Sequence, residues 1–159
     1  MLALYLDHIT VIAPSLAEGV LHVRACLDLD VPFGQRHDYM GSHNHLLQLG
    51  DSVYLEIVDL DVAALGPGRP RWFGLDDAAL PLDGAVPSII DRRGKPRAMA
   101  AIADLGARLR CFTLEYPDPA AIAALYDELA IDCLPAIVQG PALRFRAKIE
   151  VPAGLREPS

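Results

Sequence analysis

Two stretches of the chain, 103 residues apart, follow one plan. Leu6, Thr10 and Pro14 coincide with Leu109, Thr113 and Pro117, and further along Pro32 meets Pro135 at the same offset. Each stretch reads as a strand, a proline-marked turn and a capped helix. A repeated unit that cannot bury its apolar face alone must pair with its copy around a shared interior. This constraint predicts an α+β domain with a curved mixed sheet enclosing a cavity, helices packed outside, and function in the interior.

The first unit spans about residues 3–60. Residues 3–13 alternate as a strand, with Leu6, His8, Thr10 and Ile12 on one face and Tyr5, Asp7, Ile9 and Val11 on the other. Ser15 and Glu18 form a capping box, and Leu16, Val20, Val23 and Leu27 recur behind it at helical spacing. Three strands are expected near 33–39, 44–49 and 52–59, separated by turns at Gly41 and Gly50-Asp51. The order is thus βαβββ.

A connector rich in Gly, Pro and Asp follows over about 61–85, and the second unit runs over about 86–152. It should hold a strand at 108–116, a helix opened by Asp118 as cap and Pro119 in the first turn, and strands near 134–139 and 142–151. This unit is shorter by one strand, and Val86–Asp91 is expected to supply the missing one. Residues 95–105 read as a short helix or a loop.

One domain suits 159 residues of which 52% are apolar. A net charge of −7 argues against a sequence-independent nucleic-acid surface. The arginines at 69, 71, 92, 93 and 97 read as a solvated connector rather than an anion patch. No apolar run reaches the roughly 20 residues of a membrane helix, and the N-terminus lacks the pattern of a signal peptide. Cys26, Cys111 and Cys133 are odd in number without C-x-x-C spacing, as free thiols of a reducing cytosol would be. The expectation is a cytoplasmic protein without a membrane or nucleic-acid partner.

Leu6-Asp7-His8-Ile9, Gly34-Gln35-Arg36-His37, Met40-Gly41-Ser42-His43-Asn44-His45-Leu46 and Tyr54-Leu55-Glu56-Ile57 together resemble the vicinal oxygen chelate superfamily, and more narrowly its glyoxalase-like-domain proteins. Trp72-Phe73-Gly74-Leu75 and Tyr116-Pro117-Asp118-Pro119 are similar to the same group. In metal-dependent members each half gives one ligand from its opening strand and one from its closing strand. The resemblance therefore implies His8 and Glu56 as ligands of Zn, Mn, Ni, Fe or Co, with open positions for substrate oxygens. In the second half Cys111 aligns with His8, and Glu150 or Lys148 stands where an acid is expected. Glu150 facing inward would extend the ligand set; Lys148 facing inward would neutralise Glu56 and replace the metal, leaving no cofactor.

Around this pair, His37, His43 and His45 are candidate ligand-binding residues, with His43 and His45 on one strand face, and Asn44 is a candidate turn cap. Tyr54 and Trp72 are candidates for lining the cavity, with Tyr5 and Phe73 beside them. Two functions follow. One is a lyase or isomerase acting beside a carbonyl, with Glu56 as base or metal ligand. The other is a non-catalytic protein that binds or sequesters a small hydrophobic molecule. A homodimer is implied by the resemblance.

Overall fold

The computed structural model describes residues 4–37, 42–60, 81–90, 98–132 and 135–158. Trp72, Phe73 and Cys133 lie outside these residues. Among these residues the strands and α-helices follow in the order β1 (Leu4–Tyr5), β2 (His8–Ala13), α1 (Leu16–Leu27), β3 (Phe33–His37), β4 (Ser42–Gln48), β5 (Tyr54–Leu60), β6 (Arg108–Tyr116), α2 (Pro119–Glu128), β7 (Ile131–Asp132), β8 (Ala136–Gln139), β9 (Arg144–Val151) and β10 (Gly154–Arg156). The α+β class and the helix starts agree with the sequence. Ser15 Oγ accepts the Glu18 amide at 3.3 Å, the N-cap bond of the predicted box, while the Glu18 carboxylate accepts the Ser15 hydroxyl at 2.7 Å. Asp118 caps α2 through the Ala121 amide at 3.2 Å, with Pro119 in the first turn.

The first sheet has the order β2-β5-β4-β3. β2 runs parallel to β5, as a crossover through α1 requires, and the other pairs are antiparallel. The opening strand predicted over 3–13 breaks at residues 6–7, so β1 leaves the sheet and pairs in parallel with β7.

The second sheet has four strands but a different wiring, β10-β9-β6-β8. Its opening strand, β6, lies inside the sheet between a parallel partner, β8, and an antiparallel one, β9. The missing strand is β10, from the C-terminal end; residues 86–90 are irregular, contrary to the strand expected there. Pro87 explains part of that, since it brings no amide donor to a ladder. Residues 98–101 form one short 3₁₀ turn.

One core joins the halves. Val23, Leu27, Leu47, Leu55 and Ile57 from the first pack with Ala107, Ile149 and Val151 from the second, and the Leu109 amide donates to the Leu49 carbonyl at 2.9 Å. A second cluster puts α2 on its own sheet through Ile122, Tyr126 and Leu114. There Tyr126 donates its hydroxyl to the carbonyl of the buried Ala85 at 2.8 Å, tying the 81–90 segment to α2.

Burial pushes the Tyr126 phenol above its ordinary value of 10.0. Tyr126→Phe leaves the Ala85 carbonyl unpaired and is expected to cost ~1–2 kcal/mol at pH 8 by urea denaturation. The folded state prefers the neutral phenol. Its contribution is therefore intact below pH ~10 and lost as pH rises through the higher folded value. The wild-type advantage over Tyr126→Phe should shrink above pH ~10; an advantage that widened there would contradict this account.

Candidate functional site

Strand pairing decides what stands on each face of the first sheet. His8 pairs with Tyr54, Thr10 with Glu56, and Leu46 with Glu56 from the other side. His8, Thr10, Tyr54, Glu56, Asn44 and Leu46 therefore share one face. Ile9, Val11, Leu47, Leu55 and Ile57, with His43 and His45, share the opposite face, against α1.

On the first face a polar chain is assembled. Asp7 Oδ2 lies 2.9 Å from His8 Nδ1, and His8 Nε2 lies 3.5 Å from Glu56 Oε2. Glu56 Oε1 accepts the Asn44 amide N–H at 2.8 Å, and Asn44 Oδ1 accepts the backbone N–H of Gln35 at 2.7 Å. The His8 ring stacks on Tyr54 with centroids 4.9 Å apart and planes 15° from parallel. Glu56 and Asn44 are the buried polar residues of this face, at 8% and 4% exposure, so their bonds to each other decide whether the burial is tolerable. Asn44 is thus not the turn cap the sequence suggests; it lies within β4 and holds Glu56. Gly34 makes room for it, since a Cβ there would lie 2.5 Å from Asn44 Oδ1. The signal for Asn44 was present in strand parity: β4 and β5 pair so that Asn44 and Glu56 fall on one face.

Both nitrogens of His8 face carboxylate oxygens. A neutral ring can donate to one of them only, and an imidazolium to both.

The other candidates go elsewhere. His45 Nδ1 donates to the Val31 carbonyl at 2.6 Å, and His43 Nδ1 lies 3.6 Å from Asp59 Oδ1 on the α1 side. Asp59 also accepts the Leu16 amide at the start of α1, at 3.3 Å. These two histidines share a face as predicted, but it is the face opposite Glu56. The backbone of His37 pairs with Ser42 at the end of β3.

In the second sheet a register shift between Leu109 and Cys111 puts Phe112, Leu114 and Phe145 on the cavity and α2 side. Cys111, Thr113, Arg146 and Lys148 lie on the other side. Cys111 is exposed, opposite Lys148, with its Sγ 3.6 Å from Thr113 Oγ1. Glu150 is ion-paired with Arg110. Neither Glu150 nor Lys148 joins the His8–Glu56 pair. Among the described residues no group of three or more His, Cys, Asp or Glu side chains is placed to hold a metal ion. Of the predicted ligands His8 and Glu56 converge, and each is already engaged by a protein partner, Asp7 and Asn44 respectively. This donor set does not fit the three- or four-ligand metal site that the resemblance implies.

Beside the polar chain, between β2 and the second sheet, lies a cavity of about 490 Å³. Its walls include Tyr5, Asp7, His8 and Thr10 on one side, Phe112, Tyr126, Ile131 and Phe145 on another, and residues 84–90. Phe112 and Phe145 stack with centroids 5.7 Å apart and planes 8° from parallel. Tyr5, Ile89, Ile90 and Phe145 are exposed at this cavity although large and apolar.

His8 on the opening strand and Glu56 on the closing strand both lie within the segment that a family comparison matches. Residues 6–81 match the family model of the glyoxalase-like domain. The match is consistent with the vicinal oxygen chelate superfamily and spans just under half of the 159 residues. It covers the whole glyoxalase-like sheet and stops before the rewired second half. No curated protein and no solved structure matches the chain at a significant level. No helix among the described residues is long and apolar enough to cross a membrane.

Proposed function

We propose that this glyoxalase-like protein binds a small hydrophobic molecule in the cavity between its two sheets, with the Asp7–His8–Glu56 chain as the polar anchor and without a metal. The observation that carries this reading is the juxtaposition of His8 with the stacked Phe112 and Phe145 in the walls of one cavity. Mostly apolar walls with a few fixed polar groups are what orient a small ligand. His8 stands in the wall, whereas Glu56 lies behind it, held by Asn44.

The neutral fluorophore N-phenyl-1-naphthylamine tests the cavity. Wild type should bind it with enhanced emission, and Phe145→Ala should weaken binding ~10-fold by removing one ring of the stacked pair. Equal binding by Phe145→Ala would move the ligand site elsewhere. The metal-free reading predicts unchanged binding after chelator treatment and no thermal shift with Zn, Mn, Ni, Fe or Co. One tightly held ion per chain, lost in His8→Ala, would overturn it.

A second reading is proton transfer beside a ligand carbonyl, as in a lyase or isomerase. It is favoured by the place of His8 at the wall with a carboxylate on each ring nitrogen. His8 is then the group that exchanges a proton, and Glu56 positions it. Deuterium exchange into a bound 2-oxo compound, abolished in His8→Gln, would establish this; tight binding without exchange leaves the binding reading alone.

A further inference from the structure

The walls of the cavity differ in how firmly they are held. The residues that β1, β2, β6, β7, β9 and α2 contribute stand on backbone fixed by ladders or by the helix. Residues 85–90 line it too, but belong to no strand or helix. We infer that residues 84–90 are the moving wall of this cavity, a strap latched to α2 by the Tyr126–Ala85 hydrogen bond, whose release admits and frees the ligand. This rests on the cavity reading above and adds how that site opens.

Among the described residues, the hydrogen bonds from this strap to the rest of the chain reduce to one, from the Tyr126 hydroxyl to the Ala85 carbonyl at 2.8 Å. The Ala85 amide turns back to the Leu82 carbonyl at 2.9 Å, within the same stretch of chain. Ala85 is also the buried residue of the strap, packed with Leu114, Ile122 and Tyr126, whereas Ser88, Ile89 and Ile90 are exposed. A segment with one buried residue and one bond to the body opens at far lower cost than the strands around it.

The turn leading into the strap works against the latch. Leu82 has φ 50° and ψ 45°, Asp83 has φ 57° and ψ 17°, and Gly84 has φ 98°. Glycine takes such angles freely and aspartate tolerates them, but the leucine Cβ crowds the following carbonyl. The latched state therefore carries strain at Leu82 that release of Ala85 relieves, and the Tyr126 hydroxyl holds against it.

A ligand that enters and leaves through the opened strap makes both rates follow the same opening equilibrium. Stopped-flow fluorescence with N-phenyl-1-naphthylamine on the full chain reads them. Tyr126→Phe keeps the ring and loses the latch, so association and dissociation should both quicken ~10-fold. Loss of a simple ligand contact would act on dissociation alone. Leu82→Gly changes a residue outside the cavity wall and should slow both rates ~3-fold, the relief of left-handed strain outweighing the freedom that glycine adds to the open strap. Without any ligand, the Ala85 amide should exchange its hydrogen ~10-fold faster in Tyr126→Phe and ~3-fold slower in Leu82→Gly by NMR, with the amides of β2 and β6 unchanged. Should Tyr126→Phe fail to fold, Leu82→Gly decides by itself, slower entry and exit supporting the strap and unchanged rates overturning it. Probe binding whose rates ignore both substitutions would overturn the strap and leave the cavity reading intact. No binding of the probe to wild type would overturn the cavity reading and the gate with it.

Discussion

Replacing Asn44 by leucine is expected to destabilise the fold by about 3 kcal/mol, a fall in Tm of roughly 6–12 °C for a chain of this size. The side chain fits a strand, so the loss comes from what it abandons. Glu56 loses its 2.8 Å donor while remaining buried, and the Gln35 amide loses its acceptor. Removing one partner of a buried polar pair costs far more than removing both. Glu56→Leu alone should cost about 2 kcal/mol by removing the carboxylate that accepts from the Asn44 amide. The double variant should be more stable than the sum of the singles predicts, by at least ~1 kcal/mol. Urea denaturation of the four proteins measures this directly. Additivity within ~0.3 kcal/mol would mean that Asn44 does not hold Glu56.

The approach of α1 to its sheet should give a second large effect. Ile57 is fully buried, and a Cβ placed on Gly19 would lie 2.7 Å from its Cγ2 and 2.9 Å from the Ala13 Cβ. Ile57→Ala removes a core side chain and is expected to cost about 3–4 kcal/mol. Gly19→Ala gains ~1 kcal/mol of helix propensity but forces the helix off the sheet, for a net loss of ~1 kcal/mol. Combined, the new methyl enters space that Ile57 vacated, so the pair should lose ~1 kcal/mol less than the two singles together. The rescue is partial because Ala13 still crowds the position. A double variant as unstable as the sum, or worse, would show that Gly19 does not set the helix-to-sheet distance.

What the sequence revealed depended on whether local rules or long-range register decided the outcome. Ser15, Glu18, Asp118 and Pro119 act within four residues of themselves, and both helix starts were legible. Strand alternation alone places Glu56 on one face with Tyr54 and Val58, as the observed pairing has it. The second half was not legible in the same way. The internal repeat aligns Cys111 with His8, but a single register shift after Leu109 turns Cys111 outward and Phe112 inward, because side chains alternate with period two. Glu150 and Lys148 could not be distinguished for the same reason. Asp7 was hidden by alternation too: it lies where the opening strand breaks between β1 and β2, and reaches His8 as a neighbour in sequence rather than as a face partner.

The Leu49–Leu109 hydrogen bond and the core shared by Ile57, Ile149 and Val151 join the half matching the glyoxalase-like domain to the half beyond it. The two halves nonetheless bear different obligations. The first must keep Asp7, His8, Asn44 and Glu56 in one connected chain, two members of which, Asn44 and Glu56, are buried. The second must present Ala107, Ile149 and Val151 to the shared core and keep Leu114, Ile122 and Tyr126 packed between α2 and its sheet. Phe112 and Phe145 come from this second half. Substitutions at Phe112 or Phe145 therefore alter the apolar wall of the cavity without touching the Asp7–His8–Glu56 chain, which belongs to the other half.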